Sequence, residues 1–366
     1  MTLEQPSVGP FANAGAVCEN LGIPISVLRV AIVDTLSETI CRITGASSVE
    51  LGEEIQGLWS GYGVIQRATL RRPPSAAGVE RMPVVIKHID ISRVRCNRRG
   101  WGGDVSHLRK VRSYQVEKAF YETFSQQCDA SCLVPGLIAA HEKENAGGWI
   151  IVLDDLDAQG FDRRKDHVDE QSIHACLSWL ANFHATFMGT SATGLWPIGT
   201  YWHLETRPDE LASMRAGPLK QSAHAIDSRL NAAKYQTLVH GDAKVANFCF
   251  SDRDRDRVAA VDFQYVGRGC GMKDVAYFIS SCLSEQEAAS RQDSLLGFYF
   301  GRLEEALSAR GIAIDFAALQ NEWLELYLFA WADFCRFLSG WSPGHWKLNA
   351  YSDGITQSVL VQLGRS

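Results

Sequence analysis

His240-Gly241-Asp242-Ala243-Lys244-Val245-Ala246-Asn247, followed after a turn-rich stretch by Val258-Ala259-Ala260-Val261-Asp262-Phe263-Gln264, decides how the rest of the sequence is read. An Asp on a loop directly after the apolar strand Thr237–Val239 can accept a proton from a hydroxyl. Asn247, five residues on, offers a neutral oxygen to a hard divalent cation. Asp262, at the end of the neighbouring apolar strand, offers the anionic oxygen such a cation prefers. One carboxylate for an acceptor, with an Asn and an Asp for the metal that bridges phosphates, is the division of labour phosphoryl transfer requires. Each piece alone is bland: His-Gly-Asp is a turn and Asp-Phe-Gln a strand end. Their order, with a hairpin turned by Asp252-Arg253-Asp254-Arg255-Asp256-Arg257 between them, carries the reading, and the whole unit spans 237–264.

The spacing resembles the protein-kinase catalytic loop H-R-D-x-K-x-x-N followed by D-F-G, with Gly241 in place of Arg and Gln264 in place of the last Gly. H-G-D-x-x-x-x-N with D-F-Q is similar to the small-molecule kinases: aminoglycoside phosphotransferases, choline kinases and especially the ecdysteroid kinase-like group. The resemblance implies a phosphotransferase that uses ATP and Mg²⁺ on a hydroxyl of a small molecule. Asp242 would orient or deprotonate the acceptor, Lys244 would contact the transferring phosphoryl group, and Asn247 and Asp262 would hold Mg²⁺. ATP rather than GTP comes from the resemblance alone. Asp274, in Met272-Lys273-Asp274-Val275-Ala276-Tyr277-Phe278, resembles the D-x-A-Y-F helix that follows the metal Asp and would brace the loop.

Such a kinase also needs a strand Lys, a helix Glu, a phosphate-covering turn and a hinge upstream. Lys87, in Val84-Val85-Ile86-Lys87, is similar to the kinase V-A-I-K strand and would contact the nucleotide phosphates. Glu117, in Val116-Glu117-Lys118-Ala119-Phe120-Tyr121, would hold Lys87 in place. Glu122 is the competing choice, and Glu117 is preferred because it precedes Phe120-Tyr121, as in the V-E-x-x-F-Y pattern of the ecdysteroid kinase-like group. The turn Ser60-Gly61-Tyr62-Gly63 sits where the phosphate loop belongs, with Ser60, Gly61 and Gly63 as its nucleotide-binding residues, although alone it is an ordinary hairpin turn. Ile150–Leu156 occupies the hinge, where Asp154 and Leu156 would flank the adenine; on its own it is also a plain interdomain linker.

Composition bounds the alternatives. The chain has 366 residues, 46% hydrophobic and 21% charged, which excludes wholesale disorder. With 36 Lys+Arg against 42 Asp+Glu the net charge is −6, a poor basis for non-specific nucleic-acid binding. The exception is segment 91–112, with Arg93, Arg95, Arg98, Arg99, Arg109, Lys110 and Arg112 against Asp104; it reads as a surface loop, or as a flap over an anionic substrate. Apolar stretches such as Trp149–Leu153 are far too short to span a membrane. The start, Met1-Thr2-Leu3-Glu4, lacks the basic region of a signal peptide. None of the 10 cysteines forms C-x-x-C, and most lie in apolar runs, so a zinc site is weakly supported and a reducing cytoplasm is expected. No obligate protein partner is evident.

The expected architecture is α+β, a protein-kinase-like two-lobed fold with a small antiparallel-sheet N-lobe and a larger, mainly helical C-lobe. The divisions are an arm and helix over 1–48, an N-lobe over 49–156 with the hinge at 153–157, and a C-lobe over 157–366. The C-lobe carries the hairpin 237–264 and acceptor-binding helices over 286–366. On one helix, Trp323, Tyr327, Trp331, Phe334 and Leu338 form a stripe that is either core or the wall of an aromatic acceptor pocket continued by Trp341 and Trp346. Such a pocket would suit an apolar alcohol or a choline-like cation better than an aminoglycoside, since 323–350 holds only Glu325 and Asp333 as acids. Gly267-Arg268-Gly269-Cys270-Gly271-Met272 tempts a dinucleotide-binding reading, but Met272 stands where the fingerprint needs Gly, and the glycines read as loosening a loop. A metal-dependent phosphoesterase explains the acids but not Lys87 or Glu117. A catalytically silent pseudokinase is disfavoured by intact Lys87, Asp242, Asn247 and Asp262.

Overall fold

A computed structural model of the chain describes residues 25–72, 80–91, 104–143 and 147–364. The expectations for the arm before Ile25, for Gly100–Gly103 with most of the basic segment, and for the turn at Asn145 lie outside those residues. The chain separates into two compact units, residues 1–107 with 136–155, and residues 108–135 with 156–366. The fold is α+β.

The first unit is helix α1 (Ile25–Thr44) on a five-stranded antiparallel sheet of β1 (Ser48–Gly57), β2 (Gly63–Arg71), β3 (Arg81–Asp90), β4 (Leu137–Glu142) and β5 (Gly148–Asp154), in the order β1-β2-β3-β5-β4. Alternation fixes its faces. Leu36 and Ile40 of α1 pack on Ala68, Leu70, Val84, Ile86, Ile150 and Val152, so every second residue of β3 and β5 is committed to the helix side. Lys87 falls on the opposite face of β3, in register with Ile65 and Ile151. The edge strand β1 is acidic, and Glu50 and Glu53 pair with Arg71 and Arg67 of the neighbouring strand.

The second unit begins within α2 (Asp104–Thr123), whose residues from Leu108 onward pack with it rather than with the N-lobe in which the sequence reading put them. The reason is apolar: Phe120 stacks on Phe263 at 3.9 Å and meets Phe183 at 6.2 Å. Each such buried ring contributes about 1.5–3 kcal/mol. The other helices are α3 (Glu170–Thr186), α4 (Pro208–Ser213), α5 (Pro218–Gln221), α6 (Ala223–Asn231), α7 (Met272–Cys282), α8 (Glu285–Ala309), α9 (Phe316–Trp341) and α10 (Ala350–Gly364). Asp169 caps α3, a Ser284–Glu287 capping box starts α8, and Asp315 caps α9. The short helices α4–α6 have too little periodicity to show in the sequence.

Two pairs of short strands carry the loop: β7 (Phe248–Phe250) with β8 (Val258–Ala260), and β6 (Thr237–Val239) with β9 (Gly267–Gly269). The second pair corrects the reading of 267–269 as a loosened loop. A Cβ on Gly267 would lie 2.3 Å from the carbonyl oxygen of Trp196, so glycine is there because backbone packs on backbone. The α9 stripe is core: Trp323, Tyr327, Trp331, Phe334 and Leu338 are all buried.

Candidate active site

The loop after β6 is built around Asp242, which is 6% exposed. Its Oδ2 accepts from Lys244 Nζ at 3.0 Å and from Asn247 Nδ2 at 3.0 Å. Asn247 Nδ2 also donates to the Asp242 carbonyl oxygen at 2.8 Å, which leaves the amide oxygen of Asn247 as the acceptor end for a cation. Asp242 Oδ1 is buried and makes no close hydrogen bond, with the Tyr277 phenol beside the carboxylate. The charges of Asp242 and then Asp262 help hold the Lys244 ammonium above its ordinary range. One oxygen of Asp242 is therefore tied down by two donors, and the other is available to a hydroxyl proton.

The loop's shape has two causes. Gly241 has φ +80°, and a Cβ there would stand 2.1 Å from the carbonyl oxygen of Tyr265 and 2.9 Å from the amide nitrogen of Thr200. This is the physical reason the sequence has Gly where the protein-kinase loop has Arg. The second cause is Asp274, fully buried on α7. It accepts the backbone N–H of His240 at 2.5 Å and of Gly241 at 2.9 Å, and lies 3.1 Å from His184 Nε2. His240 points inward: its Nδ1 accepts from the Asp242 N–H at 3.2 Å and its Nε2 donates to the Val261 carbonyl at 3.0 Å, which fixes the neutral tautomer with the proton on Nε2. Thr200, opposite Gly241, has φ +106°, a strained value for a β-branched residue.

Asp262 has φ +69°, a conformation Asp tolerates better than most residues. Phe263 then turns into the core against Phe120, and Gln264 is buried with its Oε1 accepting from Lys110 Nζ at 2.6 Å and Ser113 Oγ at 3.2 Å. Trp196 Nε1 donates to the Gln264 carbonyl at 2.8 Å. Lys110 thus holds the segment after Asp262. Its neighbours Arg109 and Arg112 donate to the carbonyls of Thr206, Gly194 and Leu195. These three cations of the basic segment are struts inside the unit, not a patch or a flap.

Asn247 and Asp262 fit a hard divalent cation, one neutral and one anionic oxygen, with substrate phosphates and water filling the rest of its shell. Among the described residues no group of three or more His, Cys, Asp or Glu has metal-ligand geometry.

Residues 203–311 match the family model described as the ecdysteroid kinase-like family. The matched segment is less than a third of the chain. It contains His240 through Asp274, and so the whole of the loop built around Asp242. Among solved structures the chain is similar to a Ralstonia eutropha protein assigned as an aminoglycoside phosphotransferase (14% identity over 89% of this chain and 95% of that one, TM-score 0.47). It is similar also to amicoumacin kinase in complex with AMP-PNP, Ca²⁺ and Ami (11%, 87% and 88%, TM-score 0.44). A third is a choline kinase from Streptococcus pneumoniae (11%, 87% and 95%, TM-score 0.41). A search of curated proteins returned no match. The structural likenesses are too distant to bear weight, and the family match together with the loop geometry carries the functional reading.

Asp242, Lys244 and Asn247 are brought together by hydrogen bonds, and Asp262 adds its charge to the same field around Lys244. Glu117 is 2% exposed on α2, whereas Glu122 is half exposed and paired with Lys118 at 2.8 Å on the helix surface. Lys87 is buried on β3. In the turn, Gly61 (φ +78°) and Gly63 (φ +148°) adopt glycine conformations, and the backbone of Ser60 lies in a single helical turn, Trp59–Gly61, that the sequence does not signal. At the hinge, Asp154 ends β5, and Leu156 is buried with Phe161, Cys249 and Ala259 beneath the hairpin. Between them Asp155, which no motif marks, takes Arg67 Nη1 at 2.6 Å. The sequence is equally silent on Lys110, Ser113, Thr200 and Lys347, whose surroundings depend on long-range packing.

Proposed function

We propose that the chain is a kinase that uses Mg-ATP to phosphorylate a hydroxyl group of a small molecule. The observation that carries this is Asp242: a buried carboxylate on an ecdysteroid kinase-like loop, one oxygen held by Lys244 and Asn247 and the other making no close hydrogen bond. Asp242 orients the acceptor hydroxyl and takes its proton at Oδ1. Lys244, kept charged by Asp242, meets the charge that develops on the transferring group. Asn247 and Asp262 hold Mg²⁺, which when bound neutralises charge on the phosphate oxygens. Lys87 is the phosphate-contacting cation and Glu117 its positioning residue. Ser60, Gly61 and Gly63 form the turn over the phosphates, and Asp154 and Leu156 the adenine-flanking hinge.

A phosphoesterase leaves Lys87 and Glu117 unexplained, and a silent nucleotide binder is disfavoured by the intact Lys87, Asp242, Asn247 and Asp262. The eight described cysteines are free thiols, which supports a reducing, cytoplasmic setting. No described helix is long and apolar enough to cross a membrane. The inward use of Arg109, Lys110 and Arg112 gives nucleic acid no basic face there. Screening a metabolite library with Mg-ATP and ³¹P detection tests the reading. A new phosphomonoester that disappears with Asp242→Asn supports it. Phosphate release from monoesters without ATP overturns it in favour of the hydrolase.

A further inference from the structure

Lys347 follows the exposed Trp346 in the segment between α9 and α10, and its surroundings are unusual for a lysine. Its ammonium stands 4.9 Å from the ring centroid of Tyr277, 5.2 Å from Phe334 and 5.6 Å from Trp346. Its one hydrogen bond is a long one, 3.4 Å to Ser280 Oγ, and no carboxylate of the described residues is ion-paired with it. A half-buried cation placed on three rings gains about 0.5–2 kcal/mol from their quadrupoles, which replaces part of its lost hydration but supplies no anionic partner.

This cation belongs to the Asp242 neighbourhood. Ser280, its hydrogen-bond partner, adjoins Ser281, whose hydroxyl accepts the Val245 N–H of the Asp242 loop at 3.3 Å. Burial, the largest influence, draws the Lys347 pKa down to about 8, Cys282 and then Asp242 pull the other way, and Lys244 adds to the lowering. Asp242 also acts on Tyr277, the ring closest to Lys347: burial, then Tyr201 and Asp242, push the phenol well above its ordinary range. From Tyr277 the rings continue outward, through Tyr201 at 5.6 Å and Phe337 at 5.4 Å to Trp341, which stacks on Phe337 at 5.7 Å. Most indoles of the second unit are buried, yet Trp341 is 38% and Trp346 59% exposed. The exposed indole of Trp346 and the under-partnered ammonium of Lys347 are therefore neighbours, over buried rings that reach toward the Asp242 loop.

We propose that Lys347 reads the acceptor: the alcohol phosphorylated beside Asp242 carries an anionic group that pairs with the Lys347 ammonium and an apolar body that lies on Trp346. The hydroxyl part of this statement rests on the kinase reading; the charge part rests on Lys347 alone. It separates two acceptors that the sequence ranks together. A quaternary ammonium would have to share these rings with the protein's own cation and be repelled by it, whereas an apolar alcohol bearing a carboxylate supplies the missing partner.

The test is calorimetric titration of the full chain, without nucleotide, with three matched probes: para-hydroxymethylbenzoate, its methyl ester, and para-hydroxymethylphenyl-trimethylammonium. The carboxylate should bind at least about ten-fold more tightly than the ester, roughly 1.4 kcal/mol, and the ammonium most weakly. Lys347→Met should bring carboxylate and ester together, and Lys347→Arg should keep the order, with thermal unfolding confirming that both variants fold. Ammonium binding equal to or tighter than carboxylate binding, an order that survives Lys347→Met, or no carboxylate binding at millimolar concentration each overturns the proposal. The kinase reading fails separately. If the binding order holds but Mg-ATP yields no ³¹P phosphomonoester from any alcohol, that reading falls and the anion site stands. If neutral alcohols are turned over with no preference for the carboxylate, the reverse is true.

Discussion

Asn247 donates to Asp242 twice through one nitrogen, to the carbonyl oxygen at 2.8 Å and to Oδ2 at 3.0 Å. The proposed metal residue therefore also positions the proposed base, and the two should not behave independently. Asp242→Asn should lower turnover by about 10²–10⁴ while sparing nucleotide affinity. Asn247→Ala should lose a comparable factor, and the double variant should be hardly worse than Asp242→Asn alone. Steady-state kinetics of the four proteins check this; strictly multiplicative losses would mean that the hydrogen bonds do not couple the two roles.

Asp262→Ala should weaken nucleotide binding in the presence of Mg²⁺ and leave metal-free binding almost unchanged, because a carboxylate that reaches phosphate only through metal has no other route to affinity. Titrations with and without Mg²⁺ decide it. An equal loss in both would make Asp262 a backbone-shaping residue, a role its φ of +69° also allows.

Lys87→Ala should impair transfer more than Glu117→Gln, since the first is assigned to the phosphates and the second acts through it. Glu122→Gln should change little: its partner is Lys118, an exposed i,i+4 pair worth about 0.3–0.5 kcal/mol. Comparing kcat/KM across the three variants tests the choice of helix face, and a larger loss from Glu122→Gln reverses it.

Asp274→Ala should be among the most destabilising single changes in the second unit. It strands the buried N–H groups of His240 and Gly241, each costing about 1–3 kcal/mol when left without an acceptor. A loss on the order of 3 kcal/mol, read from urea unfolding, is expected, together with loss of activity. Unchanged stability would show that the loop holds its shape without Asp274.

Lys347 gives a pH signature. Its folded pKa, about 8, is below the ordinary 10.5, so between those values the unfolded chain keeps a proton that the folded chain has released. The sign is then fixed: the stability of the wild type relative to Lys347→Met should be flat below about pH 8 and rise with pH above it. Cys270, pushed up to about 12, cancels in the difference, but Cys282 and Cys335, also pushed up to about 12, feel the Lys347 charge, so the comparison is read between about pH 8 and 9, below the range where these thiols titrate in the folded chain. A difference that falls with pH would mean Lys347 is stabilised as a cation in the fold.

Where chemistry and spacing coincide, the sequence is readable. Asp242, Lys244 and Asn247 lie within six residues, and the strand carrying Lys87 shows its alternation through Val84 and Ile86. Packing across long sequence separations is not readable. Nothing at Lys110 announces that it will meet Gln264, 154 positions on, and a basic run looks the same whether it faces water or carbonyls. Likewise, Gly267–Gly269 reads as a loop until Trp196 is seen against it. The α9 stripe has the right period for either a core or a pocket, and only burial could choose the core for Trp323 and leave Trp341 open.

The contact between Gly241 and Tyr265 bears on control. A loop with an arginine at this position offers a handle, since a phosphate added elsewhere in the molecule can pull on it and set the catalytic residues in place. Here the position has no side chain, and none can be added, because backbone fills the space where a Cβ would stand. The loop is set by close backbone packing and by the buried Asp274 carboxylate, so added phosphate has nothing to grip at Gly241. Control by a phosphate pulling on this position is closed to the chain by geometry alone.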